Sequence, residues 1–227
     1  MDAIKDFIEN NENRKHTSMN VEAVIDIRDR FSFYPNTILD IGANNGWFSN
    51  LCKTVWPNCS VSMIEASVEH EPTLRNMHMH YIITLLGDKQ DIVKFYVDKN
   101  SKGSTGNSIY REMSEYFNES NCEVIEMPMD LLDNVVTDTY DFIKMDTQGS
   151  ELDIIRGGPK TIKKAKYVLL EASLVNCNEG APLKKEIVNY MESINFNLIY
   201  TPFSHILDGK LIQEDLLFKN LFNNLTT

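Results

Sequence analysis

The sequence has few cysteines, and their spacing is not that of a metal site. The four cysteines are scattered along the chain without a C-x-x-C pair: Cys52, Cys59, Cys122 and Cys177. Such pairs are typical of structural zinc sites, and disulfide frameworks belong to short secreted folds that are dense in cysteine. We therefore expect reduced thiols, with neither a zinc site nor a disulfide framework.

Basic residues are also scarce. Lys and Arg number 22 against 33 Asp and Glu, which gives a formal net charge of −11 and a pI near 4.9. Non-specific binding to nucleic acid depends on Lys and Arg side chains that neutralise phosphates. The charge therefore argues against a nucleic-acid partner.

Long apolar runs are missing as well. No run approaches the roughly 18 residues that a membrane-spanning helix needs, and no charged-then-apolar signal segment opens the chain. We predict no membrane span and a cytoplasmic location. Internal repeats are absent too, and a length of 227 residues suits one α/β domain better than two.

The most informative stretch that is present runs from Thr37 to Phe48. Ile38–Ile41 is an apolar run too short for a helix, as in a buried strand of a parallel sheet. Gly42 and Gly46 follow, and a helical apolar pattern begins at Trp47. A strand, a glycine-bearing turn and a helix N-terminus together form the cradle in which many α/β proteins hold a nucleotide.

Two acids support nucleotide binding without choosing the nucleotide. Glu65 ends the second apolar run, where an acid can accept hydrogen bonds from ribose hydroxyls in NAD and in S-adenosyl-L-methionine (SAM) alike. Asp88 follows the third run and is a candidate for contact with the adenine amine or, equally, an ordinary turn residue. The dinucleotide fingerprint G-x-G-x-x-G is absent after the first run, which argues against NAD.

The remaining patterns predict the fold class. Seven apolar stretches have the length of strands: 38–41, 60–65, 81–86, 140–146, 167–170, 196–200 and 215–218. Helical patterns separate most of them, which indicates an α/β fold with a mostly parallel seven-stranded sheet and helices on both faces. A short turn at Asp208-Gly209 joins the last two stretches, so an antiparallel edge is expected.

Two further regions lie outside this pattern. Residues 1–36 are predicted to form an N-terminal helical cap, with a hinge or loop in the polar stretch 9–18, ahead of a main domain at 37–227. Residues 89–125 form an insertion too long for one crossover helix. It contains two possible strands, and its Ser, Gly and Asn residues at 99–107 indicate a mobile lid with little core of its own.

Three stretches resemble the FkbM family of SAM-dependent methyltransferases. They are Leu39–Ser49, Asp141–Gly158 (DFIKMDTQGSELDIIRGG) and Gln213–Phe218 (QEDLLF). The family pattern in the second stretch is D-F-I-K-I-D-V-E-G-x-E, so Thr147-Gln148 replaces the commoner Val-Glu. Ala66 stands where proline is commoner. The resemblance implies the Rossmann-like fold of class I methyltransferases, with SAM as the cofactor.

The resemblance and the strand order together give a set of candidate site residues. The predicted cofactor-binding residues are Asp40, Gly42, Ala43, Asn44, Gly46, Trp47, Phe48, Glu65, Ala66 and Asp88. For Trp47, packing in the core is favoured over stacking on the cofactor. Glu151 is either an acid that stabilises the first turn of a helix or a functional residue.

Three residues are candidates for catalysis. Asp146 and Glu171 are predicted at the carboxyl ends of adjacent parallel strands, where ligands bind. Asp146 is the first candidate for the general base, Glu171 the second, and Lys144 a supporting residue. The two acids alternatively hold Mg²⁺, although two carboxylates are fewer ligands than a dedicated magnesium site provides.

The predicted function is SAM-dependent O-methylation of a small polar acceptor, such as a sugar or glycan precursor. A catalytically silent SAM-fold binding module and an NAD-type oxidoreductase are the alternatives. The oligomeric state and the identity of the acceptor are not predicted.

Overall fold

The computed structural model describes residues 2–9, 14–101, 103–114, 117–118 and 120–222. Helices begin the chain, and strands and helices then alternate. The strands are β1 (Thr37–Ile41), β2 (Ser60–Glu65), β3 (His80–Ile83), β4 (Leu85–Gly87), β5 (Asp91–Asp98), β6 (Cys122–Leu131), β7 (Phe142–Met145), β8 (Tyr167–Ser173), β9 (Phe196–Leu207) and β10 (Lys210–Asn220). The α-helices are α1 (Asp2–Glu9), α2 (Arg14–Phe31), α3 (Trp47–Val55), α4 (Glu71–Asn76), α5 (Leu132–Val135), α6 (Glu151–Gly157), α7 (Pro159–Ile162) and α8 (Lys184–Ser193).

Within the described residues, seven strands form the main sheet in the order β3-β2-β1-β7-β8-β10-β9. The pairs from β3 to β8 are parallel, while β10 is antiparallel to both β8 and β9. The antiparallel strand is thus the second from the edge, and the edge strand β9 runs in the direction of the parallel set. The prediction of a mostly parallel sheet with an antiparallel edge region is confirmed.

Alternation along β1 explains why helices cover both faces. Leu39 and Ile41 belong to one buried cluster, which includes Leu152 and Ile155 of α6. Ile38 belongs to a second cluster, which contains residues of α2 and α3. Since successive side chains of a strand point to opposite faces, an apolar strand has to be covered on both sides.

A second, three-stranded sheet holds the insertion. Its order is β4-β6-β5, and β5 pairs with β6 in antiparallel fashion from Asp91 to Asp98. Leu85, Phe95, Val97 and Met129 form a small buried cluster of its own. Of these four residues, Phe95 and Val97 lie within 89–125, and β6 buries none of its side chains before Met129. The insertion therefore has little core of its own, as predicted.

Several predicted boundaries also differ from the structure; among them, the strands predicted at 140–146, 196–200 and 215–218 are β7, β9 and β10, with the limits given above. The stretch 81–86 is not one strand but two, β3 in the main sheet and β4 in the second. Strand β8 continues past Glu171 to Ser173, because β10 pairs with it as far as Gln213. Residues 14–18 of the predicted hinge belong to α2, whereas residues 10–13 lie outside the described part. Polarity alone does not break a helix, and Lys and Arg are good helix formers.

Candidate functional site

The loop after β1 approaches the end of β7 so closely that it needs glycine. Gly42 has φ 72°, and a Cβ there would lie 1.9 Å from the carbonyl oxygen of Asp146. The backbone N–H groups of Gly42 and Ala43 donate to the carbonyl of Ile64 at 2.9 and 3.1 Å. The loop is therefore fixed against both neighbouring strands, and glycine permits the approach because it has no side chain.

Glu65, at the end of β2, ties two loops together. Its Oε2 accepts a hydrogen bond from the N–H of Asn44 at 2.8 Å, and its Oε1 accepts one from the N–H of Ser67 at 2.8 Å. Only 9% of the residue is exposed. Each carboxylate oxygen can accept a second hydrogen bond, so the residue can also bind a ligand hydroxyl.

A buried ion pair lies beneath the same loop. Asp40 is fully buried, and its Oδ2 accepts a hydrogen bond from Ser49 Oγ at 2.7 Å. Lys144 Nζ lies 3.3 Å from Asp40 Oδ1, 3.7 Å from Asp146 Oδ2, and donates to the carbonyl of Gly42 at 3.2 Å. The contact with Asp40 Oδ1 is a charge contact, because its geometry is not that of a hydrogen bond.

The charge of Lys144 is stabilised by these neighbours. Burial lowers the pKa of Lys144, but the negative charges of Asp40 and Asp146 outweigh it and raise the pKa above its ordinary value. The lysine is therefore a cation at neutral pH. It holds the loop after β1 against β7 and is unsuited to act as a base.

A cleft of about 660 Å³, partly open to solvent, lies at the carboxyl ends of β1, β2 and β7. Its lining combines apolar side chains from the strands with hydroxyl and amide side chains from the loops. The lining residues are Ile41, Gly42, Asn44, Ile64, Glu65, Ala66, Thr84, Leu85, Leu86, Phe95, Ser104, Thr105, Asn107, Ser108, Ile109, Asp146, Thr147, Gln148, Ser150 and Ile154.

The insertion forms one wall of this cleft. Residues 104, 105 and 107–109 line it, and Ser108 Oγ donates a hydrogen bond to the carbonyl of Gln148 at 2.8 Å. Asn44 Nδ2 donates to the carbonyl of Gly103 at 3.3 Å. The insertion is thus joined to the loop after β1 and to the loop after β7, as a cover would be. Its predicted mobility stays a prediction.

Beside the cleft, amide side chains donate hydrogen bonds to two carboxylates. Gln148 Nε2 donates to Asp146 Oδ1 at 3.0 Å and to Glu171 Oε2 at 3.3 Å. Gln213 Nε2 donates to the same Glu171 oxygen at 3.0 Å. Gln148 has φ 55°, a left-handed backbone conformation that is uncommon for a residue other than glycine. In this conformation the Gln148 side chain lies between Asp146 and Glu171.

A third acid, Asp215 of β10, lies directly opposite Glu171 in the strand register. Burial, and then the charge of Asp146, raise the pKa of Asp215 to about 7, although Lys144 lowers it. Burial likewise raises the pKa of Glu171, with further increases from the charges of neighbouring acids. These groups take up protons more readily than ordinary carboxyls.

Glu151 closes the loop at the start of α6. Its Oε1 accepts hydrogen bonds from Thr147 N–H at 2.7 Å and Thr147 Oγ at 3.0 Å, and its Oε2 accepts one from Gly149 N–H at 3.1 Å. Burial raises its pKa to about 7 although these backbone donors lower it. These contacts hold the loop in place, so they favour a structural role for Glu151 over a functional one.

Some predicted site residues line the cleft and others support it. Gly42, Asn44, Glu65, Ala66 and Asp146 line it. Among the other predicted residues, each is buried beneath the loop, packed in the core or placed outside the cleft: Asp40, Ala43, Gly46, Trp47, Phe48, Asp88, Lys144 and Glu171. Their roles in binding or catalysis stay predictions.

Trp47, Phe48 and Asp88 are examples of predicted residues that do not line the cleft. Trp47 packs against Phe7 of α1, with ring centroids 5.6 Å apart, which agrees with the core role that the sequence favours. Lys144 Nζ lies 5.4 Å from the centre of the Phe48 ring, so Phe48 covers the buried ion pair. Asp88 is exposed beyond the end of β4. None of the three supplies a wall of the cleft.

Sequence reasoning missed the side chains that come from distant strands. Gln213 and Asp215 reach Glu171 only because β10 lies beside β8. The motif QEDLLF contains both residues and was the available signal. Thr84 and Leu85 reach the cleft because the chain leaves the main sheet between them, where the N–H of Thr84 donates to the carbonyl of Glu65 at 2.9 Å.

The donor set does not fit a metal ion. Among the residues that the structure describes, no three His, Cys, Asp or Glu side chains are arranged to hold one. The two amides beside Glu171 present N–H groups, which are not metal ligands. The magnesium alternative is therefore not supported.

A sequence model of the methyltransferase FkbM domain matches residues 40–198. The match covers well over half of the 227 residues and includes the loops after β1, β2 and β7. The chain belongs to the FkbM methyltransferase family. A search among curated proteins finds no match.

Solved structures of methyltransferases share the fold. Methyltransferase FkbM from Methylobacillus flagellatus KT superposes with a TM-score of 0.54 at 15% identity, over 94% of this chain and 58% of that one. Magnesium protoporphyrin IX methyltransferase from Synechocystis PCC 6803, solved with bound SAM, gives 0.54 at 8% identity, over 91% and 81%. An S-adenosylmethionine-dependent methyltransferase from Clostridium acetobutylicum ATCC 824 gives 0.53 at 8%, over 89% and 91%.

These likenesses confirm the predicted Rossmann-like class I methyltransferase fold. The chain spans little more than half of the length of the Methylobacillus FkbM protein. In the described part of the chain, every helix is too short or too polar to cross a membrane.

Proposed function

We propose that this FkbM-family protein is a SAM-dependent O-methyltransferase whose acceptor is a hydroxyl of a small polar molecule, such as a sugar or glycan precursor. One observation carries the proposal. The cleft behind the Gly42 loop opens directly at Asp146, an acid whose side chain is 43% exposed. A cofactor and an acceptor bound on the two sides of Asp146 would lie next to each other.

The lining of the cleft suits the cofactor. Ile64, Leu85 and Phe95 offer an apolar surface for a purine ring, while Glu65 and Asn44 offer polar groups for ribose hydroxyls and the amino acid part. Glu65 has acceptor capacity left after its two backbone hydrogen bonds. When bound, SAM supplies a methyl group activated by a sulfonium.

Asp146 is proposed as the general base. A hydroxyl acceptor has to lose its proton, and a positioned base contributes about 10²–10⁴ in rate. Gln148 and Lys144 hold the two oxygens of Asp146 from opposite sides, at 3.0 and 3.7 Å. That support orients the acid, and orientation of reacting groups can contribute roughly 7–11 kcal/mol.

The charge around Asp146 supports a neutral acceptor. Asp146, Glu171 and Asp215 face a single nearby lysine, Lys144, whose charge is shared with Asp40. An anionic acceptor would be repelled, whereas hydroxyl groups can donate hydrogen bonds to the carboxylates. Glu171 is the second candidate for the base. The predictions of a cytoplasmic location and of no nucleic-acid partner stay predictions.

A cofactor titration tests the proposal and separates it from an NAD-type oxidoreductase. We expect SAM and S-adenosyl-L-homocysteine to bind and to raise the melting temperature, and NAD to do neither. Binding of NAD without binding of SAM would contradict the proposal.

A methyl-transfer screen tests the activity. The protein is incubated with SAM labelled in its methyl group and a panel of neutral, amino and acidic sugars, and products are identified by mass spectrometry. We expect methylation of a neutral sugar hydroxyl. A protein that binds SAM but methylates none of a broad acceptor panel would be the silent binding module.

A further inference from the structure

The Gln148 side chain occupies the space between Asp146 and Glu171. Its amide nitrogen has two hydrogens and two carboxylate oxygens within reach, at 3.0 and 3.3 Å. Both hydrogens are therefore used, one for each acid. The distance to Asp146 is an ordinary hydrogen-bond length, and the distance to Glu171 is slightly longer.

The assignment of nitrogen rather than oxygen to this position follows from electrostatics. If the amide were flipped, its oxygen would face two carboxylates, and lone pairs would meet lone pairs. Gln213 brings a second N–H donor to the same Glu171 oxygen at 3.0 Å. Two amides thus supply the positive ends of dipoles where the two acids would otherwise repel each other.

The backbone fixes Gln148 in this place. Its carbonyl accepts the hydrogen bond of Ser108 from the insertion at 2.8 Å. Its φ of 55° belongs to the left-handed region, which a residue with a Cβ occupies only when its surroundings hold it there. The loop therefore fixes the backbone of Gln148, and the hydrogen bonds to Asp146 and Glu171 orient its side chain.

We propose that the Gln148 amide replaces a cation between Asp146 and Glu171, so that this site needs no divalent metal ion. A carboxylate at position 148 would place three acids around the same point and convert it into a cation site. Gln148 is thus a positioning residue, which acts through the two acids. The inference concerns the site of the proposed methyl transfer, but its test requires neither cofactor nor acceptor.

The test compares Gln148→Glu with wild type by thermal unfolding in Mg²⁺, Mn²⁺ and Ca²⁺, against NaCl of equal ionic strength. Asn197→Asp is the matched control, because it adds one negative charge at an exposed position of β9 away from the site. We expect no cation-specific change in wild type or in Asn197→Asp. Gln148→Glu should melt at a lower temperature and regain about 5 °C in saturating Mg²⁺ or Mn²⁺, the scale of a ligand at about 100 times its Kd.

A double variant separates charge from general damage. Gln148→Glu with Glu171→Gln restores two carboxylates and one amide, so it should fold without a cation and lose the cation response. A wild type stabilised by Mg²⁺ beyond the NaCl control would overturn the proposal. So would a Gln148→Glu protein that no cation stabilises, or one that stays unfolded in Mg²⁺ and Mn²⁺ while the double variant folds.

A second readout uses the activity of the full chain. With an identified acceptor, wild-type turnover should be unchanged by EDTA, and Gln148→Glu turnover should depend on added cation. Inhibition of wild type by EDTA that Mg²⁺ reverses would contradict the inference. A failure to find methyl transfer would leave the unfolding result in force, so the two proposals can fail separately.

Discussion

The two ends of the site hold their carboxylates in different ways. At the β2 end, Glu65 accepts two backbone N–H groups, at 2.8 Å each, from the loops that it joins. At the β8 end, Glu171 is held by side-chain amides and faces Asp146 and Asp215, and its pKa is raised by burial and by those charges. The first arrangement leaves acceptor capacity on Glu65, and in the second arrangement burial raises the pKa values of Glu171 and Asp215 above those of ordinary carboxyls.

The same comparison predicts that binding and chemistry depend on different residues. Many residues that line the cleft come from β1, β2, β4, the loops after them and the insertion, while the acids beside one another come from β8, β10 and the loop after β7. We therefore expect substitutions at the first end to change cofactor affinity and those at the second end to change turnover or its pH dependence.

The largest expected effect is that of Asp146→Asn on turnover. The variant keeps the size of the side chain but removes the base, so turnover should fall by about 10²–10⁴. Cofactor affinity, measured by titration with S-adenosyl-L-homocysteine, should change little. Asp138→Asn, at an exposed position, is the control and should keep wild-type turnover. Full activity in Asp146→Asn would make Glu171 the leading candidate for the base.

Lys144→Met should have the next largest effect, on stability. It leaves Asp40 fully buried with no neighbouring cation, and breaking a buried pair in this way costs about 3–5 kcal/mol of unfolding free energy. Lys166→Met removes a lysine that is 51% exposed and paired with Asp141. It should cost at most about 1 kcal/mol. If urea denaturation showed equal losses of unfolding free energy in the two variants, the buried ion pair would contribute no more to stability than the exposed one.

Glu65→Ala should weaken cofactor binding by roughly 1.5–3 kcal/mol, the scale of a hydrogen bond to a charged group. Turnover at saturating cofactor should stay within about tenfold of wild type, in contrast with Asp146→Asn. The exposed acid Glu69, substituted by alanine, serves as the control for titration. An unchanged dissociation constant in Glu65→Ala would place ribose recognition elsewhere.

The smallest effect concerns the pH dependence of stability at Asp215. Its pKa of about 7 lies above its unfolded value near 3.9, so the folded state binds the extra proton. The corresponding stability is complete below about pH 4 and is lost as the pH rises through 7.

Asp215→Asn should therefore be more stable than wild type at pH 8, by about 1–2 kcal/mol because the carboxyl is still partly exposed, and equal to it at pH 4. Asp208→Asn, in the exposed turn between β9 and β10, should show no such difference. If the unfolding free energies of wild type and Asp215→Asn changed with pH in parallel, the proton taken up on folding would be bound by another acid of the cluster.

Local patterns in the sequence predicted the strands and loops at the first end of the cleft. The strand Ser60–Glu65 has its predicted limits, and Gly42 and Glu65 meet at the cleft as expected, because both follow directly from short strands of a parallel sheet. The hydrophobic periodicity of these segments is sufficient to predict where the strands end.

The second end depended on contacts that no local pattern contains. Glu171 was predicted at the end of a strand, yet β8 continues because β10 pairs with it, as in the register Gln213↔Ser173, whose residues are 40 positions apart. Leu85 and Leu86 read as a continuation of β3, because both sheets bury apolar side chains and hydropathy does not distinguish them. The bridging role of Gln148 arises from a left-handed backbone turn that its residue type does not predict.

Hydrogen exchange with and without S-adenosyl-L-homocysteine tests the division of the site most directly. Slower exchange is predicted at 40–48, 64–67, 84–87 and 103–109, which form or support the cleft, with little change at 168–173 and 213–217. Protection centred on the β8 and β10 segments, or none at 103–109, would contradict the assignment of the cofactor to the first end.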